Sequence, residues 1–199
     1  MLEHINQTLF LIINAPAHPS GWVVLLARFC ASGLIWLAPM IMVAGWLRGS
    51  DAIRMRMLET ALAGLTGLLI SQLIGLYWPH PRPFMTGLGH TLIPHAADAS
   101  FPSDHLTLMW STAFCLLARG GTRTAGAWLA LLGGPLAWAR IYLGVHYPFD
   151  MLGALLVSLL SAWLCQKYGP WLLAPVLVRL LKLYRRMFAP CIRKRWILY

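Results

Sequence analysis

The chain has 199 residues, enough for one domain, of which 59% are hydrophobic and only 11% charged. An ordinary soluble domain carries roughly 25% charged residues, so this composition excludes one and points to a membrane-embedded protein. The formal net charge of +10 invites a nucleic-acid reading, which the placement of the basic residues along the chain then excludes.

The N-terminal stretch Ile5–Asn14 is apolar but too short to cross a bilayer, where a span needs about 20 residues. It is read as an interfacial or re-entrant helix, or as a sixth span if its flanks help it across. It lacks a basic n-region and a small-residue cleavage site, so targeting is expected through the first span rather than a cleaved signal. Five spans are then expected at roughly 22–47, 57–78, 104–118, 124–143 and 148–166. The first is long enough to tilt or to break near Gly33 or Pro39, and the third is short enough that it is expected to extend upstream. The fold class is therefore an all-α polytopic helix bundle of five or six spans, a single domain over residues 1–199. From about Gly169 to Tyr199 basic residues are mixed with apolar ones. This tail reads either as an amphipathic surface helix broken near Pro190 or as a solvated topology signal. No internal repeat is visible. The four cysteines, Cys30, Cys115, Cys165 and Cys191, have no metal-ligand spacing and read as packed thiols.

Arg48, Arg54 and Arg56 fall between spans one and two, and Arg119 and Arg123 between spans three and four. Lys167, Arg179, Lys182, Arg185, Arg186, Arg193, Lys194 and Arg195 follow span five. With alternating spans all of these share one side, which the positive-inside rule makes cytoplasmic. Arg28, Arg82 and Arg140 remain, and the last two belong to the opposite, outer face.

Three short segments meet that face. "WPHPRPF", Trp78–Phe84, ends span two and carries Arg82 in an extended turn, because a residue before proline disfavours the α region. "FPSDH", Phe101–His105, opens span three with helix-start residues. "ARIYLGVHYPFD", Ala139–Asp150, links spans four and five. If Pro148 is the first helical residue, Asp150 is the third and its carboxylate reaches back toward His146. A carboxylate on one imidazole nitrogen fixes the tautomer and frees the other nitrogen as a nucleophile. Two helix N-termini converging on one spot favour an anion, and two arginines add bidentate positive charge suited to phosphate. His105 is a second imidazole, available as a general acid. Together these are the parts of a phosphoryl-transfer site. His80, His90, His95 and Asp98, in the same outer loop, read as solvated loop residues. A metal centre is disfavoured: no HxxxH or HExxH pair occurs, and two arginines oppose a cation.

These segments resemble the three signatures of the type-2 phosphatidic acid phosphatase superfamily, which shares its site with vanadium haloperoxidases. The signatures are Lys-x6-Arg-Pro, Pro-Ser-Gly-His and Ser-Arg-x5-His-x3-Asp. Here they read Gly75…Arg82-Pro83, Pro102-Ser103-Asp104-His105 and Ala139-Arg140…His146…Asp150, and the likeness runs from about residue 60 to 160. The resemblance implies an all-α membrane bundle without metal or cofactor. It also implies His146 as the nucleophile that becomes phosphohistidine, Asp150 as its orienter and His105 as acid to the leaving group, with Arg82, Arg140 and Ser103 holding the phosphate. The chain departs from the pattern in three places. Gly75 stands where the family has Lys, and His80 is a candidate to compensate. Asp104 stands for Gly and is a candidate partner of His105. Ala139 stands for Ser.

The compact length and the "PSDH" form look most like bacitracin-resistance-type undecaprenyl-diphosphate phosphatases of bacterial inner membranes. That implies a polyprenyl diphosphate substrate, cleaved on the periplasmic face to recycle the lipid carrier of peptidoglycan synthesis, with membrane lipids as the other partners and the C-terminus in the cytoplasm. Rival readings are a broader phosphatase of phosphatidic acid or phosphatidylglycerol phosphate, a lipid phosphotransferase, or a non-catalytic transporter or lipid-binding protein. Transporters tend to bury ionisable groups at mid-membrane, often in broken helices and inverted repeats; here the candidate groups lie at span ends.

Overall fold

The structure, a computed structural model, describes residues 1–194, so Arg195 and the end of the expected tail lie outside the described residues. The described residues form eight α-helices and no strand: α1 (Leu2–Ile13), α2 (Gly21–Ser32), α3 (Leu37–Arg48), α4 (Asp51–Tyr77), α5 (Asp104–Leu117), α6 (Arg123–Tyr142), α7 (Pro148–Met187) and α8 (Ala189–Arg193). Among the described residues, three stretches are long and apolar enough to cross a membrane: Gly21–Arg48, Asp51–Tyr77 and Pro148–Met187.

The first of these is broken where the sequence suggests. Gly33 donates to the Phe29 carbonyl, and a 3-10 turn over Leu34–Trp36 joins α2 to α3. Pro39 does not break the helix, because it lies in the first turn of α3, where its missing N–H has no intrahelical partner to lose.

Helices α4 to α7 form the bundle, with α5 packed against α4, α6 and α7, α2 against α6 and α3 against α4. Their contact faces are lined with small and hydroxyl-bearing residues, as helix pairs in lipid require for close approach. A Cβ added to Gly67 would run into Ser111, and one on Gly64 would press on Leu108 and Thr112. Ser71 hydrogen-bonds Thr107 (3.3 Å), and Ser158 donates to the Thr107 carbonyl (3.0 Å). Leu106, Met109, Ala113 and Leu116 supply the apolar part of α5. Because neighbours cover α5, it tolerates Thr107, Ser111 and Thr112 in its interior, and its pattern is less apolar than that of a lipid-facing span.

Two boundaries differ from expectation. The third helix does not extend upstream: Ser103 is its N-cap, and the residues before it are drawn into the site. The fifth does not stop near residue 166. It continues through Pro170 and Pro175 to Met187, 40 residues in all, or about 60 Å at 1.5 Å per residue. Pro170 removes the hydrogen bond to the Gln166 carbonyl, and Arg119 supplies a replacement at 3.2 Å. The second half of α7 packs at the start of α4. There the buried Arg54 lies 4.5 Å from the Tyr184 ring centre, and Asp51 binds Arg54 (2.8 Å) and Arg185 (3.0 Å). So the first part of the expected surface tail is a continuation of span five. Its break falls at Phe188, with Pro190 in the first turn of α8.

Helix α1, at 12 residues, is about 18 Å long and too short to cross. It lies along the bundle end formed by the C-termini of α4 and α6 and the N-termini of α5 and α7. Asn6 accepts from the Phe149 N–H (3.0 Å), and Phe10 packs edge-on against Tyr147. Asn14 exchanges two hydrogen bonds with the His90 backbone (2.7 and 2.9 Å) and donates to the Tyr142 carbonyl (3.1 Å).

Candidate active site

The turn between α6 and α7 presents His146. Its geometry requires Gly144 at φ +82°, where a Cβ would collide with the His90 carbonyl. Pro148 is the first residue of α7 and Asp150 the third. The Asp150 Oδ2 accepts from the Tyr147 N–H (2.8 Å), from His146 Nδ1 (3.1 Å) and from Ser100 Oγ. With the Tyr147 N–H and Ser100 hydroxyl donating to the same oxygen, the Asp150 Oδ2 is placed as acceptor for His146 Nδ1, which leaves the lone pair on Nε2.

That lone pair faces both arginines. Arg82 Nη1 lies 3.1 Å and Arg140 Nη2 3.4 Å from His146 Nε2. Arg82 is extended at φ −74°, ψ 157°, and is held by the Val145 carbonyl (2.9 Å) and the Ala99 carbonyl (3.1 Å). Burial pushes the His146 imidazole down to about 3, against the upward pull of Asp150. The ring is neutral at neutral pH, which a nitrogen nucleophile requires.

The N-terminus of α5 joins this cluster: the Ser103 N–H donates to the Asp150 carbonyl (3.3 Å), so the two helix starts do converge. Ser103 Oγ is fully buried and has no partner among the described residues, as is true of Arg140 Nε. Unsatisfied donors around a buried spot are what an incoming anion would satisfy. His105 follows in the first turn of α5, within electrostatic reach of Arg82 and Arg140.

The accessory candidates are placed otherwise. His80 is turned away to Glu3 of α1 (3.3 Å) and stacks edge-on against Tyr147, so it does not join the arginines. Asp104 receives a hydrogen bond from Gln72 (2.7 Å) rather than from His105. Gly75 lies on the wall of a polar cavity of about 170 Å³ shared with Ser71, Gln72, Asp98 and Asp104. A Cβ there would sit 3.2 Å from that of Ala99.

Three residues of the loop "HAADAS" belong to the site although they read as loop. His95 Nε2 lies 2.8 Å from Arg140 Nη2, Asp98 pairs with Arg82 Nε at 2.7 Å, and Ser100 holds Asp150. Burial works to raise the Asp98 carboxyl, but the hydrogen bond and charge of Arg82, with His95, hold it below its usual range. The loop has no periodicity to place it; ionisable residues in so charge-poor a chain were the available signal. His90 contributes only its backbone, to Asn14.

The PAP2 superfamily model matches residues 56–174, which carry every one of these groups except those of the α1 contact. The chain belongs to the PAP2 superfamily. YbjG of Escherichia coli (strain K12), which carries the name of a proposed undecaprenyl-diphosphatase, is 39% identical over 197 residues and 99% of each chain. BcrC of Bacillus subtilis (strain 168), named an undecaprenyl-diphosphatase, is 34% identical over 96% of this chain and 97% of its own. Among solved structures, Aquifex aeolicus LpxE superposes with a TM-score of 0.65 at 24% identity, over 82% of this chain and 96% of that one. A transmembrane PAP2-type phosphatidylglycerolphosphate phosphatase from Bacillus subtilis gives 0.61 at 19% identity, over 84% and 86%. These two likenesses carry the fold. The chain is thus a membrane protein with the PAP2 helix bundle.

Proposed function

We propose that the chain hydrolyses undecaprenyl diphosphate to undecaprenyl phosphate and inorganic phosphate. The observation that carries this reading is the neutral His146, locked by Asp150 with its Nε2 directed at two arginines. In the reaction Arg82, Arg140 and Ser103 take the oxygens of the terminal phosphoryl group. His146 Nε2 attacks that phosphorus, and an N–P bond forms as the bridging P–O bond breaks. His105 gives a proton to the departing lipid phosphate. Water then attacks the phosphohistidine, with His105 as base, releasing phosphate and restoring the imidazole. The arginines stabilise the charge on the equatorial oxygens, the main task in phosphoryl transfer.

The membrane reading has five crossings, with α2–α3 as the first and α4 to α7 as the rest. The site end faces the periplasm, because the basic ends of the helices lie opposite it. The C-terminus is then cytoplasmic and α1 lies in the outer interface. The membrane is the bacterial inner membrane, and the prenyl tail reaches the site from the bilayer. A diphosphate offers the arginines more oxygens than a monoester, and lipid phosphate is a better leaving group than an alkoxide.

The test is phosphate release by the purified protein in one detergent from undecaprenyl diphosphate, phosphatidic acid and phosphatidylglycerol phosphate. The expected result is a kcat/KM at least tenfold higher on the diphosphate, each tenfold being about 1.4 kcal/mol. Equal rates or a preference for the monoesters would replace this reading with a broad lipid phosphatase.

A further inference from the structure

Around the Nε2 of His146 stand two guanidinium groups and, against one of them, a further imidazole. His95 Nε2 lies 2.8 Å from Arg140 Nη2, and the two imidazole rings of His95 and His146 are 6.2 Å apart, centre to centre. A guanidinium can only donate, so His95 Nε2 accepts and its proton is on Nδ1, which sits 3.2 Å from the Ala96 carbonyl. Arg140 thus spends on His95 a donor that an anion on His146 would need. Asp98 does the same to Arg82. The loop thus holds one acceptor against each arginine, His95 on Arg140 and Asp98 on Arg82.

We infer that His95 is a further phosphoryl-binding group beside Arg82, Arg140 and Ser103: it accepts from Arg140 in the arrangement described, and takes up a proton from solvent to donate to a phosphoryl oxygen when substrate engages Arg140. The inference rests on the reading of this site as a phosphoryl site. Its physical basis is that Arg140 forces the acceptor form, whereas an anion inserted between them rewards the donor form. Every charged neighbour is consistent with this. Arg82 from the loop after α4 and Arg140 on α6 oppose a proton on His95, as does burial, which is the largest influence and lowers its affinity for one. Asp98 on the same loop favours the proton, at 3.9 Å from Nδ1. His146 is neutral and engaged by Asp150. His105 on α5 lies within electrostatic reach, and its neighbour Asp104 is engaged by Gln72. An anion bound to Arg82 and Arg140 cancels the two opposing charges and adds its own negative charge, which joins the Ala96 carbonyl and Asp98 against burial.

The experiment is calorimetric titration of the full chain in detergent with tungstate, a tetrahedral dianion that does not itself titrate near neutrality. Binding is measured at about pH 7 in buffers of different ionisation enthalpy, which reads proton uptake directly. Wild type is expected to take up about one proton more per anion bound than His95→Gln, whose affinity should be lower by about tenfold for the lost charge-assisted hydrogen bond. His95→Lys, already charged, is expected to bind within about threefold of wild type with the same smaller uptake as His95→Gln. Proton uptake in His95→Gln equal to that of wild type would assign all of it to His105 or His146 and overturn the inference. So would unchanged affinity in that variant, or wild type that binds no anion. If His95→Gln does not fold, the lost uptake with retained affinity in His95→Lys decides the matter. Anion binding as expected without cleavage of any lipid diphosphate would remove the proposed substrate and leave His95 in its place.

Discussion

Asp150 is the residue on which the site turns, because one of its oxygens receives Tyr147, Ser100 and His146 together. Asp150→Asn keeps the size but turns one oxygen into a donor, so the imidazole loses its tautomer. Turnover should fall by roughly 10²-fold, the scale of an acid–base contribution, in a phosphate-release assay. Ser100→Ala removes one of three donors and should cost less, about threefold to tenfold. Burial also makes His146 a pH liability. Its folded affinity for protons, at about 3, lies below the ordinary 6.5, so the unfolded chain binds the extra proton between those values. The stability it contributes is complete above about pH 6.5 and is lost as pH falls toward about 3. The melting temperature in detergent should therefore decline over that window, and the decline should be shallower in His146→Gln.

At the level of elements, close helix approach and one long helix carry the architecture. Gly67 of α4 rests on Ser111 of α5 with no room for a side chain. Gly67→Leu should lower the melting temperature sharply, by overpacking worth about 1–3 kcal/mol or more. Tyr184→Ala should also destabilise, since it strips the ring from the buried Arg54; a thermal melt unchanged from wild type would mean that the second half of α7 does not pack on α4. The sequence made the helices legible through apolar length, and the starts of α5 and α7 through Pro, Ser and Asp at cap positions. It did not make the length of α7 legible. Pro170 and a run of basic residues read as an ending, while the compensating bond from Arg119 comes from the turn between α5 and α6, 47 positions away in the chain. The loop residues His95, Asp98 and Ser100 were illegible for the same reason: tertiary contacts alone bring them to His146. His80 looked like a nearby cation, but Glu3 of α1 claims it.

At the scale of the whole molecule, the bundle puts its chemistry at one end and its excess basic charge at the other. This predicts an orientation. Single cysteines at Gly87 or Ala97, in a background without the four native ones, should react with an impermeant thiol reagent in intact cells. Cysteines at Gly49 or Gly121 should not, and the reverse pattern would place the site in the cytoplasm. In the proposed mechanism the reaction depends on the His146 imidazole. The most direct measurement is phosphate release from undecaprenyl diphosphate by wild type and His146→Ala at matched melting temperature. The nucleophile assignment predicts a loss of about 10³-fold or more in kcat. Turnover within about tenfold of wild type, from a folded His146→Ala protein, would contradict it.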